Sequence, residues 1–393
     1  MSTPQATVDP RLHDAVIFVV PQSDSIKELE QRLQGAGVQT ATAEAQADTA
    51  QLREIAQRIG ARAERSVVVD DSADGVVAAR NAGFSLVIGL GSAERAGELL
   101  ERGADAVVGD LATVSVRTGD RRMSEIPDAL GEYRKVAEIL DGCRPAVCLD
   151  FDGTLSPIVP DPDTARLVDG AADALARLAQ WCPVVILSGR DLADIRGRVG
   201  VANLWYAGSH GFESIAPDGS YRQNDEAAAA VPVLESAAKE LRETLAHIRG
   251  TRVEHKRFAV AVHYRDVASD DVGEVAASTH RVGRRDHLRV TNGRKVVELR
   301  PDVDWNKGTT LAWIREQIEK ATSQVVPIYI GDDLTDEDGF DAVAADGVGI
   351  LVRHNEDGDR RSSARFTLES PERVREFLER LGESAEAAAT SAD

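Results

Sequence analysis

Two carboxylates, Asp150 and Asp152, stand one residue apart in the run Asp150-Phe151-Asp152-Gly153-Thr154-Leu155, directly after the apolar stretch Ala146-Val147-Cys148-Leu149. Open α/β sheets bind their ligands at the carboxyl ends of strands, so a carboxylate pair there is placed for chemistry. Asp and Gly also end strands simply as turn residues, and the run taken alone fits that reading too. Leu187-Ser188-Gly189-Arg190 closes a second apolar stretch, Pro183 to Leu187. Its hydroxyl, permissive glycine and guanidinium can together hold a phosphate, although Ser-Gly is also a common turn. Gly331-Asp332-Asp333-Leu334-Thr335-Asp336-Glu337 closes a third, Pro327 to Gly331, and Asp338 follows. So many acids repel one another unless a cation neutralises them; the other reading is a solvated helix start, where the dipole favours acids. Asn306-Lys307-Gly308 opens a helix ahead of that run. A lone lysine is ordinarily a surface residue, and Lys307 stands out by its place in the series.

The elements that must position these groups repeat a strand–turn–helix rhythm. Short apolar runs at Ala15–Val20, Ser66–Asp70, Ser85–Gly89, Ala146–Asp150, Pro183–Leu187 and Pro327–Gly331 read as buried parallel strands. Helical periodicity fills 24–36, 47–60, 73–82 and 122–142, and alternation of this kind implies parallel sheets faced by helices. Between 210 and 300 the style changes. A helix covers about 226–248, Phe258 to Tyr264 alternate, and Asn292-Gly293 is a hairpin signal. This stretch reads as an antiparallel sheet with helices, inserted into the α/β core. The polar ends, 1–10 and 382–393, are expected to fray.

The 393 residues carry 46 Lys+Arg against 66 Asp+Glu, a net charge of −20, which argues against nucleic acid or an anionic membrane as partner. No apolar run is long enough to span a bilayer, and the N-terminus lacks a basic-then-apolar leader. Cys143, Cys148 and Cys182 form neither an even set nor a CxxC pair, so a disulfide framework is not expected and a reducing, cytoplasmic setting is.

In this order the four groups resemble the haloacid dehalogenase superfamily of phosphotransferases. The resemblance implies a Rossmann-like α/β core with an inserted α+β cap of the larger, C2 class. It implies that Asp150 attacks phosphorus and that Asp152 protonates the leaving oxygen, then activates water. It also implies a Mg2+ ion held by the Asp150 side chain, the Asp152 backbone carbonyl and the Asp332 side chain. Thr154, Asp333 and Asp336 would support ligands, waters or Lys307 from behind, while Ser188, Gly189 and Lys307 hold the phosphate oxygens.

From Ala146 to Leu381 the chain is similar to trehalose-6-phosphate phosphatases. The resemblance is carried by Gly208-Ser209-His210-Gly211, Val253-Glu254-His255-Lys256, Ala261-Val262-His263-Tyr264-Arg265, Lys295-Val296-Val297-Glu298-Leu299-Arg300-Pro301 and the acidic run. It implies trehalose 6-phosphate as substrate, with Glu254, Lys256 and Glu298 reaching the sugar that lies away from the phosphate. His210, His263, Arg265, Lys295, Arg300 and Arg190 are further substrate candidates. Each histidine also suits a packed side chain, and each arginine a simple ion pair. Residues 251–300 hold 11 Lys+Arg and 7 Asp+Glu, a basic stretch suited to an anionic sugar phosphate. Connections near 206–212 and 299–305 are the expected hinges. Another sugar-phosphate phosphatase, for sucrose 6-phosphate for example, a phosphomutase, or a non-catalytic sugar-phosphate sensor are the alternatives.

The expected domains are a degenerate α/β domain of the same superfamily over 1–130, the core over 131–207 and 301–382, the cap over 208–300, and a flexible tail over 383–393. In the first domain Val69-Asp70-Asp71-Ser72 resembles an acidic motif, but Ile17-Phe18-Val19-Val20-Pro21 stands where a nucleophile would be. That domain is therefore expected to be catalytically inert. The sequence does not give the oligomeric state.

Overall fold

The computed structural model describes residues 6–268, 271–293, 295–322, 324–354 and 358–392. The chain forms two compact units, one of residues Met1–Gly119 with Ala229–Asp302, the other of Asp120–Ala228 with Val303–Asp393.

The second unit is built on an eight-stranded sheet. At its centre Arg144–Leu149 lies between Val184–Leu187 and Val325–Gly331, parallel to both. Each of these strands is apolar on both faces, as a sheet covered on both sides requires. Val147, Leu149, Ile186, Ile328 and Ile330 enter one core, which Val374, Phe377 and Leu378 of the helix Pro371–Ala392 complete. Ala146, Cys148, Val185, Leu187 and Tyr329 enter the other, closed by Leu311 and Ile314 of the helix Lys307–Ala321 and Phe340 of Glu337–Val343. Val348–Val352 and Phe366–Leu368 extend the parallel order on one side and Trp205–Gly208 on the other.

The edges of this unit differ from those expected. Residues 208–228 remain with the core, because Glu213–Ile215 and Tyr221–Gln223 continue its sheet as antiparallel strands. Residues 120–130 belong to it too: Arg121–Arg122 pairs with Arg361–Ser362, and the Ala129 N–H donates to the Thr367 carbonyl. The long helix expected over 122–142 is only Tyr133–Leu140, since Pro127 and the pairing of 121–122 draw the preceding segment into extended structure.

The other unit holds two larger sheets besides the short pair Thr7–Val8 with Ser115–Val116. Five parallel strands run in the order Gln39–Thr42, Ala15–Val19, Ser66–Asp70, Leu86–Leu90, Ala106–Val108, with an apolar core on each face. The inserted part is a four-stranded antiparallel sheet in the order Arg252–Lys256, Ala259–His263, Val296–Pro301, Leu288–Gly293. One face packs Val260, Val262 and Leu299 against the helices Val231–Thr244 and Val272–Arg285. Two helices of this unit, Ala73–Ala82 and Val272–Arg285, lie against each other so closely that a Cβ on Gly273 would stand 2.5 Å from Asn81 Oδ1. The helix expected over 226–248 is broken in two, with Pro232 in the first turn of the second piece. Asn292 and Gly293 pair with Val297 and Val296 at the strand end, so the hairpin turns one step later, where Lys295 takes φ 62°.

Fraying at residues 1–5 and 393 lies outside the described residues. Residues 6–10 are held instead: Thr7–Val8 pairs with Ser115–Val116 and Val8 is buried. From 382 to 392 the chain continues the last helix. No helix among the described residues is long and apolar enough to cross a membrane.

Candidate active site

Asp150 follows the last residue of the central strand, and its N–H donates to the Ile330 carbonyl at 2.9 Å, so the neighbouring strand fixes its backbone. Asp332 follows the end of that neighbour, Val325–Gly331. The two carboxylates are buried and face each other at the carboxyl edge of the sheet. Close approach there depends on Gly153, whose φ is +79° and where a Cβ would stand 2.1 Å from Asp332 Oδ2. Only glycine takes that position without displacing the carboxylate.

Lys307 opens its helix behind Asn306, whose side chain caps the helix by accepting from the Thr309 N–H. Its Nζ lies 3.2 Å from Asp150 Oδ2 and 2.7 Å from Asp336 Oδ1, with the side chain 2% exposed. Burial alone pulls an ammonium down, but Asp150 and Asp336 hold Lys307 charged, well above its usual range. Asp336 is fully engaged. Its Oδ1 also accepts from the Tyr329 hydroxyl at 2.6 Å, and its Oδ2 accepts the N–H groups of Asp332 and Asp333, each at 2.9 Å.

The side chains of Asp150, Asp332 and Asp336 bring oxygens within 4.8 Å of one another. Because Asp336 has already spent both oxygens on Lys307, Tyr329 and backbone, the pair that fits a cation is Asp150 and Asp332. Burial pushes Asp150 well above the usual carboxylate range despite Lys307, and pushes Asp332 up to about 6 despite a bond to His354. A divalent cation between these hard oxygens would relieve both. Thr154 Oγ1 donates to Asp332 Oδ1 at 3.1 Å, as a residue supporting a ligand should.

Asp152 lies on the solvent side of Asp150, its side chain 44% exposed. Arg190 donates to both of its oxygens at 2.7 and 2.6 Å, to Asp194 at 3.1 Å and to the Pro162 carbonyl at 2.9 Å. Among the substrate candidates of the sequence, Arg190 therefore stands as the partner of the second carboxylate. Ser188 is buried just past the end of the adjacent strand, its Oγ accepting from the Arg190 N–H at 3.2 Å. The His210 ring lies over Gly189, where a Cβ would stand 2.9 Å from it. Asp333 caps the turn after the acidic strand, its Oδ1 accepting from the Leu334 N–H at 2.6 Å, and it reaches neither Lys307 nor Thr154 in the bonds formed.

The sugar candidates of the insertion gather on the polar face of its sheet. Glu254, Ala261, Glu298 and Thr291 stand in register across four strands. Glu254 takes His263 Nε2 at 3.0 Å, with Lys256 at 3.8 Å, and Glu298 accepts from Arg300 Nε at 2.6 Å. Arg265 lies beyond the end of its strand and Lys295 at the hairpin turn, both exposed, so these two are not in the row. Asp70, in the five-stranded sheet of the same unit, accepts from the Ser72 N–H and hydroxyl at 2.8 Å, and its neighbour in register is Val19.

Sequence reasoning missed three groups. His354 Nε2 lies 3.0 Å from the Gly153 carbonyl and 3.4 Å from Asp332 Oδ2. Tyr329 anchors Asp336, and Arg360 pairs with Glu337 while donating to the Asp332 carbonyl at 3.1 Å. Only the alternation that places Tyr329 opposite its neighbours was visible beforehand; the other two come from segments without a motif.

The family model described as trehalose-phosphatase matches residues 148–372. A protein of Mycobacterium marinum named trehalose-phosphate phosphatase is 55% identical over 381 residues, covering 95% of this chain and 97% of its own. One of the same name from Mycobacterium tuberculosis strain H37Rv is 54% identical over 376 residues, 95% of each. Among solved structures, a trehalose-6-phosphate phosphatase related protein matches with TM-score 0.53 at 23% identity, over 62% of this chain and 99% of that one. The C-terminal domain of the Candida albicans trehalose-6-phosphate phosphatase matches with TM-score 0.53 at 22% identity, over 66% and 99%.

Proposed function

The chain belongs to the trehalose-phosphatase family, and from that premise we propose that it hydrolyses trehalose 6-phosphate to trehalose and phosphate through a phosphoryl ester on Asp150. The observation that carries the reading is the meeting of Asp150, Asp332 and Lys307 at one sheet edge, all three buried.

Asp150 is the proposed nucleophile. One of its oxygens is held by Lys307, which fixes the carboxylate and offers positive charge to the phosphate oxygens. Attack forms the Asp150–phosphorus bond as the bond to the sugar oxygen breaks, and Asp152 delivers a proton to that oxygen. In the second step a water attacks the aspartyl phosphate, its proton passes to Asp152, and phosphate leaves with Asp150 regenerated. Both oxygens of Asp152 accept from Arg190 here, so delivering a proton requires it to give up at least one of those bonds. Ser188 and the Gly189 backbone are proposed to bind phosphate beside Lys307. Asp150, the Asp152 carbonyl and Asp332 would hold a Mg2+ ion, which when bound would supply the charge that lets a carboxylate approach an anionic phosphate.

The row of Glu254, Lys256, His263, Glu298 and Arg300 supports the choice of a disaccharide, since paired charges offer several donors and acceptors to adjacent hydroxyls. His210, Arg265 and Lys295 are proposed as outer contacts. The three cysteines are free, which supports a reducing, cytoplasmic setting. The five-stranded domain is proposed to do no phosphoryl chemistry, because the strand beside Asp70 ends in Phe18 and Val19, with no carboxylate where a nucleophile would be needed.

Release of phosphate from a panel of sugar phosphates, with and without magnesium, tests the proposal. Turnover of trehalose 6-phosphate that requires the metal is expected. Turnover of sucrose 6-phosphate alone would assign another substrate, and no release from any would favour a sensor.

A further inference from the structure

Asp332 is held from behind as well as from in front. Its N–H donates to Asp336, and its carbonyl accepts from Arg360 Nη2 at 3.1 Å. Arg360 forms an ion pair with Glu337, the two side chains 3% and 2% exposed. The other Glu337 oxygen accepts the Ser363 N–H at 3.0 Å and its hydroxyl at 3.1 Å. Burying such a pair is favourable only when its remaining donors and acceptors are satisfied, and here Ser363 satisfies Glu337 while Arg360 donates to the carbonyls of Asp332 and Arg361.

Arg360 is in turn fixed by a strap. The Met123 N–H donates to the Arg360 carbonyl at 3.0 Å, and Arg121–Arg122 pairs antiparallel with Arg361–Ser362. Ser124 donates to Asp359 from its N–H at 2.8 Å and its hydroxyl at 3.0 Å, and Arg361 reaches the Asp120 carbonyl at 2.7 Å. The strap is the first segment of the core unit after Gly119, where the preceding unit ends.

We infer that Arg360 is a positioning residue that sets the backbone of Asp332 for metal binding, and that the strap of residues 120–125 keeps it there. The planar guanidinium suits this work because it engages a carboxylate and a carbonyl in fixed directions at once, which an ammonium does not. The inference rests on the reading of Asp332 as a metal ligand.

Mn2+ binding to the full chain, followed by electron paramagnetic resonance, tests it in Asp332→Asn, Arg360→Met, Arg360→Lys and Asp359→Ala. Loss of a group that orients a ligand weakens metal affinity by roughly 10–100-fold, and that is the expectation for Arg360→Met. Arg360→Lys restores part of the affinity, and Asp359→Ala, which removes the acceptor that Ser124 of the strap holds, weakens binding severalfold. If Asp332→Asn binds Mn2+ as the unaltered chain does, the reading of Asp332 fails, whatever Arg360 does. If Asp332→Asn loses the ion while Arg360→Met and Asp359→Ala keep unaltered affinity, the positioning role is overturned. Should Arg360→Met not fold, Asp359→Ala decides: unaltered Mn2+ affinity in that variant overturns the role.

Discussion

Arg190 holds both carboxylate oxygens of Asp152, Nε on Oδ2 at 2.7 Å and Nη2 on Oδ1 at 2.6 Å. The guanidinium is itself fixed by Asp194, which Arg198 also grips at 2.9 Å, and by the Pro162 carbonyl. The proposed proton carrier is thus parked on a rigid fork.

A proton donor matters most when the leaving oxygen is a poor one. Asp152→Asn is expected to lower kcat on trehalose 6-phosphate by about 100–10,000-fold, the usual range for general acid–base catalysis. On p-nitrophenyl phosphate, whose leaving group departs without a proton, the first step should lose far less. Arg190→Met, which frees Asp152 to move, should also change the ratio of the two activities. Burst kinetics on both esters check this, and equal losses would remove Asp152 from the acid step.

Lys307 depends on Asp336 for its place. Asp336→Asn removes a charge 2.7 Å from Nζ and unsettles the Asp332 and Asp333 N–H groups that its Oδ2 accepts. Breaking a buried ion pair from one side costs about 3–5 kcal/mol. We expect a lower Tm and a loss of kcat close to that of Lys307→Met. A fully active Asp336→Asn would show that Lys307 needs no such anchor.

Glu298→Ala is a test of the cap row. Glu298 stands in register with Glu254 across Ala261 and is paired with Arg300. If the row reads a sugar, kcat/KM for trehalose 6-phosphate falls by at least tenfold, as when a charged hydrogen bond of about 1.5–3 kcal/mol is lost. Hydrolysis of a small aryl phosphate stays near its original rate. Parallel losses would exclude the role.

The five-stranded domain carries its own acid sensitivity. His13 is buried, and its Nδ1 accepts from the Asp9 N–H at 3.0 Å. Burial brings its pKa down to about 4, against the pull of Asp9. The folded imidazole binds fewer protons than the unfolded one between its unfolded pKa of about 6.5 and that value, so stability rises with pH across the interval and is lost on acidification. The contribution is about 3 kcal/mol when complete. Thermal melts between these pH values should show a steeper acid loss in the unaltered chain than in His13→Gln; identical slopes would place the sensitivity elsewhere.

Much of this could be read beforehand where one strand supplies the information. The apolar runs before Asp150, Ser188 and Asp332 place all three at one sheet edge because parallel strands buried on both faces have little other way to end. Alternation likewise puts Glu254 and Lys256 on one face. The misjudged parts have a common cause in pairing between distant segments. Glu213–Ile215 and Tyr221–Gln223 are short and mixed in polarity, and only pairing with Trp205–Gly208, the last of the parallel strands, makes them part of the core sheet. Arg360 and Glu337 lie 23 residues apart, and nothing local marks either as buried. Asp336 was expected only as one support among several for ligands, waters or Lys307, and its four partners make it the anchor of Lys307.

The central claim is that Asp150 carries phosphorus during turnover. Single-turnover reaction with radiolabelled trehalose 6-phosphate, acid quench and peptide mapping measures it directly. The account predicts transient label on the peptide containing Asp150, absent in Asp150→Asn. Turnover at the normal rate with no protein-bound label, or with label on another residue, would contradict it.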